Sequence, residues 1–420
     1  MRSRAVLGYL LTAALLGCAG CTTTPGHPAA ARPALTPPAM RPLSLPSRSL
    51  PSPGCSIAAA TARLLRGVRT AMTNVPGGPF GVVVTPDGRW AFVSSVSAID
   101  ALRLGPGGSL ALAAVRTIPV PAPYRAVGEA LTPDGRYLLA ASGSSGAVVV
   151  SVARAEQGSA DPVLGTLNDP HGGLGAIEVA VSPDGRFAFV TQERSAAAAV
   201  FNLHQALTKG FGPADFVGTI PLGQAPVGIA VSPDGRWLYA TSELDRNARP
   251  GPGTGDGTGT LAVVDLRRAE TDPASAVIAT VDSGCNPVRV APSADGSAVW
   301  VTARGSDDLL CFSTAMLRRD PAKALVAVTQ VGQEPVGLMP VHGGTSIIVA
   351  DSNRFSVTGA AADLTVVNVA AALAGKPAAI GRLPAGRFPR EMALKPGGAV
   401  LLVTNFDSDQ LDAVSVPTLP

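Results

Sequence analysis

The sequence predicts an all-β chain folded as a seven-bladed β-propeller, with four antiparallel strands per blade. Three observations carry that expectation. A turn glycine recurs at Gly88, Gly135, Gly185, Gly235, Gly296, Gly344 and Gly398, with successive differences of 47, 50, 50, 61, 48 and 54 residues. Self-similarity near this period marks an array of units that bury their apolar faces on one another. Around each glycine the chain alternates in the strand period, as in residues 228–242 (GIAVSPDGRWLYATS). There Pro233 and Asp234 set a turn, and Gly235 takes its φ > 0 corner. Each unit then adds two more strand-like runs, for example 259–266 (GTLAVVDL) and 276–281 (AVIATV). Seven such units make a closed ring.

From the amino terminus, residues 1–18 have the form of an export signal. Arg2 and Arg4 precede a 13-residue apolar run, 5–17, which is too short to span a bilayer. The run ends in Leu15-Leu16-Gly17-Cys18, which resembles the lipobox of bacterial lipoproteins. The resemblance implies lipidation of Cys18, with Cys21 as the alternative. The chain is then expected in the cell envelope, lipid-anchored on the outer side of the cytoplasmic membrane or in the periplasm or extracellular space.

Residues 19–62 are expected to form a disordered tether, because 22–54 hold nine prolines in 33 residues and only three charges. Residues 63–420 are expected to form the propeller. The chain ends after a third strand, 410–416, while 64–75 has a strand-like core and no hairpin of its own. This amino-terminal strand is expected to complete the seventh blade and close the ring, removing its open edges. Connections at 203–212, 266–274, 314–324 and 370–375, rich in Ala, Leu, Lys and Arg, read as short helical turns on the turn-glycine side. The Gly/Pro-rich stretch 243–259 reads as a loop on the opposite face.

The composition suits this fold: 46% hydrophobic, 47 Gly and 38 Pro. The net charge is +3, or +1 once the two leader arginines are removed, with no polybasic run. Nucleic acid is therefore not expected as a partner, and a monomer is expected. Beyond the leader lie Cys55, Cys285 and Cys311. An oxidising compartment permits a Cys55–Cys285 disulfide, and Cys311, in mid-strand, reads as a buried thiol.

Catalytic signatures are sparse. The chain has no Gly-x-Ser-x-Gly elbow, no His-Glu-x-x-His and no phosphate-binding glycine loop, and neither a cofactor nor a metal is expected. The repeat itself points to a site. Seven residues before the turn glycine, blades 1, 2, 4 and 6 carry Gly81, Gly128, Gly228 and Gly337, whereas blades 3, 5 and 7 carry Glu178, Arg289 and Glu391. Arg390, Arg125 and His171 precede inner strands on the same face, and Arg304 follows a second strand there. Two readings are open. One is an ion-pair ring that plugs the channel. The other is a polar pocket for a small anionic or polyhydroxy ligand, or for an envelope partner.

The motifs FAFVT (187–191), WLYAT (237–241), WVT (300–302) and LVTN (402–405) follow Pro-Asp-Gly-like turns and precede VVDL-like strands. This pattern resembles the YVTN-repeat propellers, of which the YncE-like proteins are exported members, over about residues 64–419. The resemblance implies the propeller fold and export. The chain is also similar to lactonase-type propellers such as 6-phosphogluconolactonase. That family shows Gly-Pro-Arg-His ahead of the turn and Asn-Glu after the second strand. Here stand Phe388-Pro389-Arg390-Glu391, Gly175-Ala176-Ile177-Glu178 and Gln192-Glu193, with glutamate in the histidine position. This second resemblance implies a hydrolase of sugar lactones. The function expected is an exported binding or scaffold module, with lactone hydrolysis as the alternative.

Overall fold

The computed structural model describes residues 42–55, 59–245, 257–355 and 362–420. Cys18, Cys21, the leader and the middle of the 243–259 loop lie outside them. Seven four-stranded antiparallel sheets follow in chain order. Their inner strands are Val82–Val84, Glu129–Leu131, Ala176–Val181, Gln224–Val231, Pro287–Pro292, Pro335–Val341 and Pro389–Leu394. Blade 7 takes its outer strand, Thr70–Asn74, from the amino-terminal side. It runs antiparallel to Gln410–Ser415 with Ala71 opposite Ala413. The ring is therefore closed by the segment that the sequence marks for that role.

The repeated turn is locally determined. Thr85, Thr132, Ser182, Ser232 and Ser293 each donate a hydroxyl to the aspartate two residues on, Asp87, Asp134, Asp184, Asp234 and Asp295. Each aspartate accepts the backbone N–H that follows the turn glycine. Gly235 sits at φ +68°, a value that costs glycine nothing.

The recurrent Ser or Thr of the second strand joins neighbouring blades. In blades 1, 3, 5 and 7 its hydroxyl accepts the N–H of residue 81, 178, 289 or 391. Thr241, Thr302 and Thr404 also donate to a carbonyl of the next blade, Val288 (2.7 Å), Val336 (2.7 Å) and Phe80 (2.8 Å). The ring glycines permit this approach. A Cβ on Gly228 would lie 2.3 Å from the Val288 carbonyl oxygen. Apolar side chains fill the spaces between blades. Between blades 3 and 4, for example, Phe189, Val200, Ile220 and Leu238 are fully buried.

Third and outer strands are joined by short helices at Val152–Gln157, Leu203–Lys209, Leu266–Ala269, Thr314–Arg319 and Val369–Leu373, N-capped by Ser151, Asn202, Asp265, Ser313 and Asn368. The first of these has no counterpart among the sequence expectations. Among the described residues no helix is long and apolar enough to cross a membrane.

The expectation of a disordered tether over 19–62 does not hold for the described residues 42–55, which dock on the propeller. Residues 42–55 form a strap against blades 4, 5 and 6. The Leu43 N–H donates to the Asp295 carboxylate (2.5 Å), and the Leu50 N–H to the Leu325 carbonyl (2.9 Å). Arg48 donates to the carbonyls of Val326 (3.1 Å) and Leu373 (3.0 Å). Leu43, Leu45 and Leu50 pack on the cores beneath. Proline prevents this segment from forming a ladder, but an exposed outer-strand edge still offers carbonyls to any donor that crosses it. The strap ends at Cys55, which is bonded to Cys285.

Candidate ligand site at the channel mouth

Glu178, Arg289 and Glu391 begin three alternate inner strands, and the ring brings them into contact across the channel. The Arg289 guanidinium lies 3.1 Å from Glu178 through Nη2 and Oε2, and its Nε pairs with Glu391 Oε1. Its Nη1 donates to the Val227 carbonyl (2.7 Å). The Glu178 contact is close enough for an ion pair, but Nη2 and Oε2 are misaligned and neither finds a hydrogen bond. Glycine at 128 makes room for this carboxylate, because a Cβ there would stand 2.2 Å from Glu178 Oε1. Burial pushes Glu178 upward, Arg289 pulls it back and Glu391 adds to the rise, leaving its carboxyl at about 8. Burial opposes the charge on Arg289, but the flanking carboxylates hold its guanidinium above the usual value.

The residues just before the ring positions form an apolar collar of Phe80, Val127, Ile177, Val227, Val288 and Val336. In the seventh blade this place is taken by Arg390. Its guanidinium lies 3.7 Å from the ring centre of Phe80, 4.6 Å from Phe388 and 5.8 Å from Phe406. Phe406 stands edge-on to Phe80 (6.2 Å) and to Phe388 (5.7 Å), an arrangement that aromatic quadrupoles favour. Arg390 Nε is buried without a hydrogen-bond partner, and none of the ion pairs among the described residues includes Arg390. Burial, with Arg289 nearby, lowers its guanidinium to about 9, so it remains a cation at neutral pH. On the rim, Arg304 grips Glu243 with two contacts of 3.0 Å and covers Phe355 at 5.3 Å. Arg354 stacks over Phe355 (5.1 Å) and Phe388 (4.8 Å).

The family model for "Lactonase, 7-bladed beta-propeller" matches residues 131–358, more than half of this 420-residue chain. The chain belongs to that family. Among solved structures it is similar to a chain of the Kuenenia stuttgartiensis hydrazine synthase, at 16% identity and a TM-score of 0.61, covering 84% of this chain and 99% of that one. It is also similar to a chain of the mitotic checkpoint complex, at 14% identity and a TM-score of 0.62, covering 90% and 99%. These two likenesses concern the fold. No curated protein matches the chain.

In this lactonase-family propeller the sequence candidates separate into groups. Glu178, Arg289 and Glu391 meet, Arg390 stands beside them in its phenyl nest, and Arg304 is engaged on the rim. Arg125 is exposed, with its aliphatic stem against Gly143. His171 is also exposed; its backbone N–H donates to Asp169 (2.8 Å) and its ring meets Phe216 at 5.5 Å. Neither contact reaches the channel. Sequence reasoning missed Phe80, Phe388, Phe406, Phe355, Glu243 and Glu129. Glu129 follows ring position 128, where the other blades place Val82, Val179, Ile229, Val290, Leu338 and Met392. Its carboxyl oxygens are both buried without a hydrogen-bond partner. Burial, then the charge of Glu178, pushes it well above the ordinary carboxylate range. Comparing the repeat one residue after the ring position would have exposed Glu129. Among the described residues no cluster of three or more His, Cys, Asp or Glu is suited to a metal.

Proposed function

We propose that this propeller is an exported, lipid-tethered binding module whose mouth holds a small anionic ligand. The observation that carries the reading is Arg390, a cation set into an otherwise apolar collar with no ion-pair partner among the described residues. A half-buried guanidinium whose Nε is shut away without a hydrogen-bond partner carries a desolvation cost, and an anion entering the mouth would supply its counter-charge. The guanidinium fork suits a planar carboxylate, and Arg354 stands on the same side. The triad behind them acts as the floor. Export is supported by the Cys55–Cys285 disulfide, which belongs to an oxidising compartment. Calorimetric titration with gluconate and citrate tests the ligand: binding to wild type that is lost in Arg390→Met is expected. Equal binding by the variant, or no binding of either anion by wild type, would refute it. Labelled palmitate should enter wild type and the Cys21→Ala variant, but not Cys18→Ala.

A second reading, lactone hydrolysis, is favoured by one observation. Glu178, at about 8, titrates near physiological pH beside Arg390 in a member of the lactonase family. As a carboxylate, Glu178 would take a proton from water as its oxygen attacks the lactone carbonyl. Arg390 would stabilise the resulting oxyanion, and the ring C–O bond would then break as Glu178 returns the proton to the leaving alkoxide. The product is the open hydroxy acid. Hydrolysis should rise with pH through about 8 and be lost in Glu178→Gln. A flat profile, or an unchanged variant, would exclude Glu178 as the base.

A further inference from the structure

Cys285 is fully buried at the end of the outer strand of blade 4, Val277–Cys285. Arg289 lies four residues on, in the inner strand of blade 5. Between them Asn286 takes φ +47°, a conformation Asn tolerates better than most residues. The Asn286 carbonyl accepts the Arg304 N–H (3.1 Å), and its side-chain amide donates to the Glu243 carbonyl (3.4 Å). One residue thus touches the backbone of both members of the Glu243–Arg304 rim pair. Gly305 passes so close that a Cβ there would lie 2.7 Å from Cys285 Sγ. On the far side of the crosslink, Ser52 donates to the Asp282 carboxylate (2.6 Å) and accepts the Gly284 N–H (3.1 Å).

We infer that the Cys55–Cys285 disulfide is a positioning brace for the mouth, clamping residues 284–286 and through them Arg289, Arg304 and Glu243. With the bond formed, strap and loop move as one body. With it reduced, the lip loses its outer support, while the blades keep their own ladders and the Thr241–Val288 and Thr302–Val336 links. The reaction balances with a dithiol reductant. It delivers two electrons and two protons, the S–S bond breaks to two thiols, and the reductant departs as its own disulfide. The geometry of the mouth is thereby tied to oxidising surroundings.

The test requires no ligand, so it stands or falls separately from the proposed binding function. Amide hydrogen exchange of the whole protein is followed by mass spectrometry before and after dithiothreitol, and in Cys55→Ser. Exchange about tenfold faster at 284–289 and 302–306, with Tyr137–Ala141 and the other strands of blade 2 unchanged, is expected. Reoxidation should restore protection. If only 42–55 gains exchange, the bond merely holds the strap and the inference is overturned. Loss of protection in all seven blades overturns it as well, since the bond is then a global staple. If Cys55→Ser does not fold, native wild type reduced in place gives the same readout.

Discussion

Arg289 touches Glu178, Glu391 and the Val227 carbonyl at once. Without it the buried Glu178 and the half-buried Glu391 face one another with no counter-charge between them. Removing one partner of a buried pair typically costs about 3–5 kcal/mol, and Arg289→Ala is expected to lose stability on that scale in urea denaturation. Arg289→Lys should restore only part of it, since one ammonium cannot span both carboxylates and the carbonyl. Glu129 behaves in the opposite sense. Its folded-state pKa is raised, so between its unfolded value and its folded value the native protein holds a proton that the unfolded chain has released. Stability is therefore present at low pH and lost as pH rises through that window. Glu129→Val, the residue of blades 1, 3 and 5 at this place, should raise Tm more at pH 8 than at pH 5, as scanning calorimetry at the two values would show. A variant that melts alike at both would remove the titration argument. The ring charges were legible because three departures from glycine in an aligned repeat are conspicuous. The phenyl nest was not, because nothing in the repeat links Phe80, Phe388 and Phe406, and only the fold brings residues 80 and 406 together.

Among the elements, the strap departs furthest from its sequence. Its prolines and lack of periodicity correctly exclude a ladder or helix, but they are silent about docking onto another segment's edge. Leu43, Leu45, Arg48 and Leu50 were all visible; their partners, Asp295, Leu325, Val326 and Leu373, lie more than 250 residues away in sequence. Deleting 42–55 removes these contacts together with a crosslink that spans 230 residues. Crosslinks of this kind are commonly worth about 2–4 kcal/mol through restriction of the unfolded chain. A fall in Tm of several degrees is expected, and a melt superimposable on wild type would show the strap to be energetically idle. The turns stand at the other extreme. The hydroxyl, the aspartate and the glycine are neighbours in sequence, so local chemistry alone specified them.

For the whole molecule, the seven-fold repetition made the architecture legible, since one pattern read seven times averages out the ambiguity of any single hairpin. Closure was legible because a blade lacking a strand at one end matched a strand lacking a blade at the other. A closed ring has no terminal unit free to fray, unlike an open array in which each repeat contacts only its neighbours. Deleting 63–75 unpairs Gln410–Ser415 along one side. The variant is expected to replace a single sharp calorimetric transition with a broad or split one. Retention of one sharp transition at an unchanged Tm would argue that closure contributes nothing to cooperativity. The path of the strap also has a mechanical consequence. A pull on the chain ahead of residue 42 loads the strap's hydrogen bonds and then a covalent S–S link into blades 4 and 5. The force leaves the chain at residue 55 and does not reach Thr70–Asn74, the one strand whose peeling would unzip the ring. Under an oxidising regime such a pull ends in blade 4; once the link is reduced, it passes to the bonds that residues 60–65 make with Val331 and Arg382 before it reaches the closing strand.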